Sequence, residues 1–309
     1  MSNQTFFVTG ATGPQGGAVA RHLLKKNCTV HAITRNIDSP AAKELQKLGV
    51  KLFVGELDNE EPLKAGMQGC TGLFLNLPPN PTTTEPYAKC ILPIAKSAGI
   101  KHVVYSTAIG ANNPEKFAAW KPNGMIEIIM APKRILEEVV RNYGFEYWTI
   151  LRPGNFMANF TLPKLPVVYP GLDTTGVFKN SFGKETLIPM IDHDDIGKFG
   201  AAALLDPSRF DQHSIELVSE LLTVDQIVAE LSKATIKKIS AHYLSDEEFE
   251  VEAARNSPAS WHKMLRDLGQ FVDMDKLRTW GIPLNSFADF LQREKDIVTN
   301  TYAQVPSLD

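Results

Sequence analysis

The sequence is poor in the features that mark several large classes of protein. It holds three cysteines among 309 residues, and none of them lies in a Cys-x-x-Cys pair. Such usage supports neither a disulfide framework nor a zinc cluster. No stretch reaches the roughly 18 apolar residues of a membrane span, and the first residues lack the basic and then apolar order of a signal peptide. We therefore expect a soluble, cytoplasmic protein without membrane contact, with the nucleus as the alternative compartment.

An excess of positive charge is also missing. Lysine and arginine number 32 against 35 aspartates and glutamates, which gives a net charge of -3, and no basic run is long enough to follow a phosphate backbone. Nucleic acid is therefore not an expected partner. Hydrophobic residues make up 43% of the chain, an ordinary share for a globular protein, and a chain of this length can bury a large core.

The first half of the chain alternates regularly between strand and helix patterns. Because the strands are apolar on both faces, the alternation predicts a parallel sheet covered by helices on each side, which is an α/β, doubly wound Rossmann fold. The predicted strands are 5–9, 29–34, 51–54, 72–77, 102–107 and 147–151, and the predicted helices are 16–26, 40–48, 60–66, 85–98 and 132–142.

The pattern changes after Arg152, where Pro163, Pro166 and Pro170 break any long element. A helix at 194–205 follows, and then a strand at 214–219 that could return to the first sheet. We predict two domains: residues 1–154 form the Rossmann domain, and residues 155–309 form a smaller, mainly helical lobe, from which about 190–220 rejoin the sheet. Two capping boxes, Thr223-x-x-Gln226 and Ser245-x-x-Glu248, predict helix starts in this lobe.

A glycine-rich loop joins the first strand to the first helix. Gly10, Gly13 and Gly16 have the spacing Gly-x-x-Gly-x-x-Gly, a variant of the Rossmann fingerprint. Glycines there allow a tight turn and let the backbone approach a pyrophosphate at the positive end of the helix. The loop therefore predicts dinucleotide binding, by Gly10, Thr12, Gly13, Pro14, Gln15 and Gly16.

The end of the second strand bears on the choice of dinucleotide. An acidic residue there holds the ribose 2'-hydroxyl of NAD, whereas an arginine holds the 2'-phosphate of NADP. The chain has Thr34-Arg35-Asn36 at this point, and a guanidinium can grip a phosphate through two parallel hydrogen bonds. We therefore expect NADP(H), bound partly by Arg35, and the nearby Asp38 keeps NAD as the alternative.

Four segments together carry a resemblance to a known family. They are the loop at 9–17, Thr34-Arg35, the Leu-Arg-Pro-Gly-Asn-Phe segment at 151–156 and the Ile-Asp-His-Asp-Asp-Ile-Gly segment at 191–197. On these segments the sequence resembles the NmrA-like family of atypical short-chain dehydrogenases. The resemblance implies the Rossmann fold, and it implies either an NADPH reductase or an NADP-binding redox sensor that regulates a transcription factor.

The resemblance also implies further binding residues, which all follow the carboxyl ends of strands, where open α/β sheets bind ligands. Asp58 is expected near the adenine, and Asn76 and Leu77 near the nicotinamide ribose. Asn155 and Phe156 are expected to border the nicotinamide and the substrate.

Active short-chain dehydrogenases use Tyr-x-x-x-Lys on a helix, and the candidate lysine in this chain is Lys133. Ile129 stands at the tyrosine position, so the usual proton donor is missing. Pro132 is a second departure, because proline fits best in a first helical turn, and residue 129 then need not lie one turn before the lysine. Either Lys133 contacts the ribose and acts as acid or base itself, or it only anchors the cofactor.

Other candidates complete the predicted site. The hydroxyl of Ser106 or Thr107, at the end of the fifth strand, could bind a substrate carbonyl, although strand-end capping explains them equally well. Trp120, in a long loop, could cover an apolar or aromatic substrate or could be a peripheral core residue. The cluster Asp192-His193-Asp194-Asp195 precedes a helix, where aspartates cap backbone N–H groups, so we predict no metal.

These observations lead to two predictions of function. The first is an NADPH-dependent oxidoreductase that reduces a small or medium carbonyl, enone or quinone. The second is an NADP(H)-sensing protein that binds a regulatory protein partner without catalysis, favoured by Ile129. Retention of Lys133 favours catalysis. An isomerase with the same fold is a third hypothesis.

Overall fold

The structure, a computed structural model, describes residues 4–78, 80–256 and 259–308. It divides into two compact units, each built from separated stretches of chain. The first unit contains the residues up to Asn112 together with Ile128–Pro153 and His193–Glu216. The second contains Asn113–Glu127, Gly154–Asp192 and the residues from Leu217 onward.

Strands and helices alternate through the first half, as the sequence predicts. The strands are β1 Thr5–Val8, β2 Thr29–Thr34, β3 Lys51–Val54, β4 Gly72–Leu75, β5 His102–Ser106, β6 Tyr147–Pro153, β7 Asn155–Phe156, β8 Val177–Asn180, β9 Ile188–Ile191, β10 His213–Leu217, β11 Glu220–Leu222 and β12 Ser240–Tyr243. The helices are α1 Pro14–Lys25, α2 Pro40–Lys47, α3 Glu60–Met67, α4 Pro81–Ser97, α5 Met125–Asn142, α6 Leu165–Val168, α7 Leu172–Thr175, α8 His193–Leu205, α9 Pro207–Phe210, α10 Val224–Thr235, α11 Asp246–Asn256, α12 Ala259–Asp267, α13 Met274–Arg278, α14 Phe287–Arg293 and α15 Lys295–Thr301.

The large sheet has the strand order β10-β6-β5-β4-β1-β2-β3, and its strands from β1 to β6 pair in parallel. This confirms the predicted α/β, Rossmann-type parallel sheet, and β10 lies at its other edge, beside β6. The strand order reverses between β1 and β4. Ligands of open α/β sheets bind at such a reversal, outside the carboxyl ends of the strands.

Burial along the strands matches their places in the sheet. Every residue of β4 and β5 is buried, whereas β3, at the edge, has no buried residue. Central strands of a parallel sheet are covered on both faces, which explains their unbroken apolar sequence. Phe7, Leu73, Leu75, Val103 and Tyr105 contribute to the core on one face of the sheet.

Close packing joins α8 to α1 within the first unit. A Cβ added to Gly197 would lie 2.7 Å from the Cβ of Ala18, and one added to Gly200 would lie 2.8 Å from Cγ2 of Val19. His22 of α1 pairs with Asp194 of α8, with 2.7 Å between Nε2 and Oδ1. The glycines of α8 therefore let the helix approach the back of α1 closely.

The helix α5 differs from its prediction. It begins at Met125, seven residues before the predicted start at Pro132, so the proline lies inside the helix. Ile126, Met130 and Val140 lie on one helical stripe and are buried, and burial of such a stripe outweighs the hydrogen bond that proline removes. Because residues 129 and 133 both belong to α5, the isoleucine does lie one turn before Lys133.

The second unit contains two small sheets and several short helices. In one sheet β9 pairs in parallel with β7 and antiparallel with β11, and in the other β8 pairs in parallel with β12. Both predicted capping boxes are formed, at Thr223 before α10 and at Ser245 before α11. Through the ranges that the structure covers, every helix is too short or too polar to cross a bilayer.

Candidate functional site

The glycine loop lies at the reversal point of the large sheet, against the end of β4. The Thr9 hydroxyl donates to the carbonyl of Asn76 at 2.9 Å, and the Asn76 N–H donates back to Thr9 Oγ1 at 2.7 Å. These bonds fix the start of the loop to the residue that follows β4. Asn76 itself is half-buried and the next residue, Leu77, is buried.

Two glycines of the loop are required by its geometry. Gly10 has φ of 66°, in the left-handed region, and a Cβ there would lie 2.9 Å from Nδ2 of Asn76. A Cβ on Gly16 would lie 2.5 Å from the carbonyl oxygen of Gly10 and 2.7 Å from that of Thr9. The loop therefore closes against the first turn of α1 only because both residues lack a side chain.

The first turn of α1 is suited to an anion. Gly13 is the N-cap and offers no side-chain cap, and Pro14 takes the first helical position, where its missing N–H costs nothing. The N–H groups of Gln15 and Gly16 lie in this first turn, where no carbonyl of the helix can accept from them. Such N–H groups, at the positive end of the helix, could hold the pyrophosphate of a dinucleotide. Thr12 is exposed on the same loop.

Ser106 connects the end of β5 to this loop. Its hydroxyl donates to Oε1 of Gln15 at 2.7 Å, and the serine side chain is buried. Of the two hydroxyls predicted from the sequence, Ser106 is thus the one that faces the glycine loop.

Thr107 instead faces a buried ionic network around Glu137. The threonine hydroxyl donates to Oε1 of Glu137 at 2.9 Å. Arg152 donates to both oxygens of the same carboxylate, at 3.0 Å from Nε and 2.6 Å from Nη2, and it also donates to Glu216 at 2.7 Å. Arg141 adds a further bond to Glu137 at 3.0 Å. Glu137 is fully buried, so these donors replace water around its charge.

Lys133 lies one helical turn before Glu137 on α5 and is half-buried. Burial lowers the pKa of its amine below the ordinary lysine range, while the charge of Glu137 acts in the opposite direction. A lysine of this kind gives up its proton more readily than an exposed one. It can therefore serve as an acid nearer to neutral pH.

The two residues predicted to hold the adenine end are exposed at the same edge of the sheet. Arg35 directly follows β2, and β2 pairs with β1 so that Val8 lies opposite Ala32. Arg35 is therefore close to the strand that leads into the glycine loop. Asp58 follows β3, the next strand along.

The predicted substrate residues belong to the second unit. Asn155 is buried, and its amide bonds to Tyr169 Oη at 3.1 Å and to the amide of Asn159 at 2.9 Å. Phe156 beside it is half-buried. The indole N–H of Trp120 is buried and has no acceptor among the residues that the structure describes. An unused donor of this kind is what a substrate contact by Trp120 would require.

The aspartates at 192–195 form ion pairs. Within the second unit, Asp192 is fully buried and receives both terminal nitrogens of Arg293, at 2.6 Å and 2.8 Å. In the first unit, Asp195 bonds to Lys198 at 2.7 Å and Asp194 bonds to His22. Among the described residues, no group of acidic, histidine and cysteine side chains is arranged to hold a metal ion.

Sequence reasoning missed Glu137 and Arg141, and it named Arg152 only as part of the 151–156 segment that carries the family resemblance. A signal was present, because Lys133, Glu137 and Arg141 follow one another at four-residue spacing and so share a helix face. The partner from β6, Arg152, has no such local signal. It meets Glu137 only through the packing of α5 against the sheet.

Comparisons with known proteins agree on one family. The model of the NmrA-like family matches residues 2–279. The NmrA-like family domain-containing oxidoreductase hkm9 of Aspergillus hancockii is 30% identical over 250 residues, which are 75% of this chain and 72% of that protein. The similarly described FrzB of Cladobotryum sp is 30% identical over 253 residues, covering 75% and 73% of the two chains.

Solved structures show the same fold. The NADPH complex of the quinone oxidoreductase QOR2 from Escherichia coli has a TM-score of 0.69 at 24% identity, over 93% of this chain and 99% of that one. The negative transcriptional regulator NmrA in complex with NAD has a TM-score of 0.68 at 21% identity, over 99% and 93%. With the family model matching from residue 2 to residue 279, the chain belongs to the NmrA-like family.

Proposed function

We propose that the protein is an NADPH-dependent oxidoreductase that reduces a small or medium carbonyl, enone or quinone, apolar or aromatic in character. The observation that carries the proposal is the glycine loop, which closes against the first turn of α1, where N–H groups could hold a phosphate, only because Gly10 and Gly16 lack side chains. The names of the relatives support it, since several are called oxidoreductases and QOR2 is an NADPH-dependent quinone oxidoreductase.

The residues of the loop would hold the cofactor. The backbone from Gly10 to Gly16 would hold the pyrophosphate, Arg35 the 2'-phosphate, and Asn76 and Lys133 the ribose next to the nicotinamide. When bound, the reduced nicotinamide supplies a hydride to an electrophilic carbon of the substrate.

Lys133 would supply the proton that balances the reduction. The substrate oxygen gains a proton as the carbon gains the hydride, and the lysine then recovers a proton from solvent. Ile129, one turn earlier, has no proton to give. Burial lowers the pKa of Lys133, which makes its ammonium group the stronger acid that this step needs.

The test is consumption of NADPH, followed by absorbance, against a panel of quinones, enones, aldehydes and ketones. We expect turnover of at least one class and its loss in Lys133→Ala. Lys89→Ala is the matched control, because Lys89 lies on the exposed face of α4, paired with Glu85. Unchanged turnover in Lys133→Ala would remove the lysine from the mechanism.

The alternative is an NADP(H)-sensing regulator, and the observation that favours it is Ile129 on α5. Tight NADPH binding without consumption across the whole panel would select this alternative. The search would then turn to a protein partner whose affinity differs between NADP and NADPH.

A further inference from the structure

Lys133 has a carboxylate one turn away that it does not pair with. On an exposed helix, a lysine and a glutamate four residues apart lie on the same face and can pair, and the order with the glutamate first is the more favourable one. Glu137 stands at this position, yet among the described residues the side-chain amine of Lys133 forms neither an ion pair nor a hydrogen bond. The reason lies in the other partners of Glu137.

Every acceptor position of Glu137 is already used. A carboxylate offers about four lone-pair positions. Oε1 accepts from Thr107 at 2.9 Å and from Arg152 Nε at 3.0 Å, and Oε2 accepts from Arg152 Nη2 at 2.6 Å and from Arg141 Nη2 at 3.0 Å. No further donor can bind without displacing one of these. Arg152 alone fills two of the four positions, with the planar fork that suits a carboxylate.

We propose that Arg152, by clamping Glu137, keeps that carboxylate from pairing with Lys133, and that Arg152 is thereby a positioning residue for proton donation by the lysine. The inference rests on the proposed function, because it assigns Arg152 a role in the acid step given to Lys133. It explains why a buried ion pair and an unpaired lysine occur on neighbouring turns of one helix.

The groups that act on the charge of Lys133, directly or through Glu137, can be named and changed one at a time. Glu137 is the charge that acts on the lysine, and it opposes the effect of burial. The groups that act on Glu137 are Arg152 from β6, Arg141 from α5 and the neutral Thr107 after β5. Tyr105 of β5 is also close to Glu137, and burial raises its pKa well above its ordinary value, so it stays neutral.

Two substitutions should change the pKa of Lys133 in opposite directions. Arg152→Met vacates two positions on Glu137 and removes a positive charge, so Lys133 should hold its proton to higher pH. Glu137→Gln keeps the shape of the side chain but removes the negative charge, so Lys133 should lose its proton at lower pH. The alkaline limb of the kcat profile should therefore shift upward in the first and downward in the second, by about half a pH unit or more in each.

Glu216→Gln is the matched control. Glu216 accepts from Arg152 but does not contact Glu137, so this change weakens the network without uncovering the carboxylate. We expect the limb to stay where it is in the unmodified protein. If Arg152→Met does not fold, Arg152→Lys keeps the charge but gives up the fork, and it should shift the limb upward by a smaller amount.

A second readout separates this inference from the proposed function. Competitive acetylation by acetic anhydride across the pH range, with the Lys133 peptide measured by mass spectrometry, follows the amine without any turnover. The pH at which the Lys133 amine becomes reactive could shift in opposite directions in Arg152→Met and Glu137→Gln while no compound is reduced. That result would support the role of Arg152 in clamping Glu137 and contradict the proposed reductase. If the protein reduces a compound but the pKa of Lys133 shifts in the same direction in both variants, or in neither, the proposed role of Arg152 is wrong.

Discussion

A single exposed side chain, Arg35, carries the prediction of NADP over NAD. Arg35→Asp should cost about 1.5–3 kcal/mol of NADPH affinity, the usual worth of a hydrogen bond to a charged group. NADH affinity should not fall, because NADH has no 2'-phosphate for the arginine to hold. Titration of both cofactors by calorimetry measures the difference. Lys47→Asp, an equal change of charge on the exposed end of α2, is the control, and equal NADPH losses in the two variants would contradict the assignment.

The charged Lys133 side chain should lower the free energy of unfolding while it supports turnover. Its pKa is lowered by burial, so the folded chain binds fewer protons than the unfolded chain between the folded and the unfolded lysine pKa. Stability therefore rises with pH through that window, and the charged lysine costs stability below it. Lys133→Met should unfold at a higher temperature near pH 7 and lose the NADPH turnover proposed above. The difference in unfolding temperature should shrink as the pH approaches about 10, the ordinary lysine range, and a variant less stable than the parent near pH 7 would contradict the argument.

At the scale of residues, the sequence indicated the parts of the candidate site that depend on local geometry. The spacing of Gly10, Gly13 and Gly16 follows from one turn, and the place of Ser106 follows from one strand end. The partners of Glu137 could not be predicted, because Arg152 reaches it across a strand and a helix that are distant in sequence. The choice between Ser106 and Thr107 also needed the fold, because neighbouring residues on a strand point to opposite sides.

At the scale of elements, the contact between the glycine loop and α1 leaves no room for a methyl group. Gly16→Ala would place a Cβ 2.5 Å from the carbonyl oxygen of Gly10, against backbone that cannot give way cheaply. We expect a loss of about 1–3 kcal/mol of stability, as for other overpacked sites, together with a loss of dinucleotide binding. Urea unfolding and a cofactor titration measure the two effects.

Gly13→Ala provides the comparison for that experiment. A Cβ at Gly13 meets the Gly10 oxygen at 3.4 Å, an ordinary contact, and the residue has an extended backbone. The loss of stability should be far smaller than in Gly16→Ala. Equal losses of stability in the two variants would mean that the close approach of Gly16 to the Gly10 carbonyl does not limit the packing of the loop against α1.

The helix α5 shows where pattern reasoning at this scale fails. Pro132 suggested a helix start, because proline is favoured in the first turn. The buried stripe that includes Ile126 and Met130 instead continues the helix through the proline. Burial of this stripe in the fold outweighed the preference of proline for the first helical turn. Only the proline preference could be seen from the local sequence.

At the scale of the whole molecule, a buried ion pair joins segments about a hundred residues apart within the second unit. Asp192 follows β9, and its carboxylate receives two bonds from Arg293, the last residue of α14. Arg293→Met would leave a fully buried carboxylate without these bonds. Because the guanidinium is partly exposed, we expect a loss of about 2–3 kcal/mol, below the value for a fully buried pair.

Denaturant unfolding measures this loss, and Arg278→Met is the matched control. Arg278 pairs with Asp275 at 2.9 Å on the exposed surface of the same unit, where such pairs contribute about 0–1 kcal/mol. A cost for Arg293→Met no larger than that of the control would show that the buried pair contributes little.

The architecture of the first unit was readable from the sequence because its strands and helices are short, regular and close along the chain. The second unit was harder to predict. Its small sheets combine strands such as β8 and β12, which are separated by about sixty residues along the chain. The interleaving of the two units also hides their boundaries, since each is built from discontinuous stretches.

The packing of α8 on α1 has a consequence for synthesis of the chain. The ribosome releases residues 154–192 before it releases α8, although α8 completes the unit that holds the glycine loop. Until Gly197 and Gly200 emerge, the face of α1 that carries Ala18 and Val19 lacks its contact with α8. A nascent chain must therefore hold an incomplete first unit while residues 154–192 of the second unit are made. Chains halted before residue 193 should accordingly bind chaperones through α1 more strongly than chains extended past residue 216 do, which capture of the halted chains would measure.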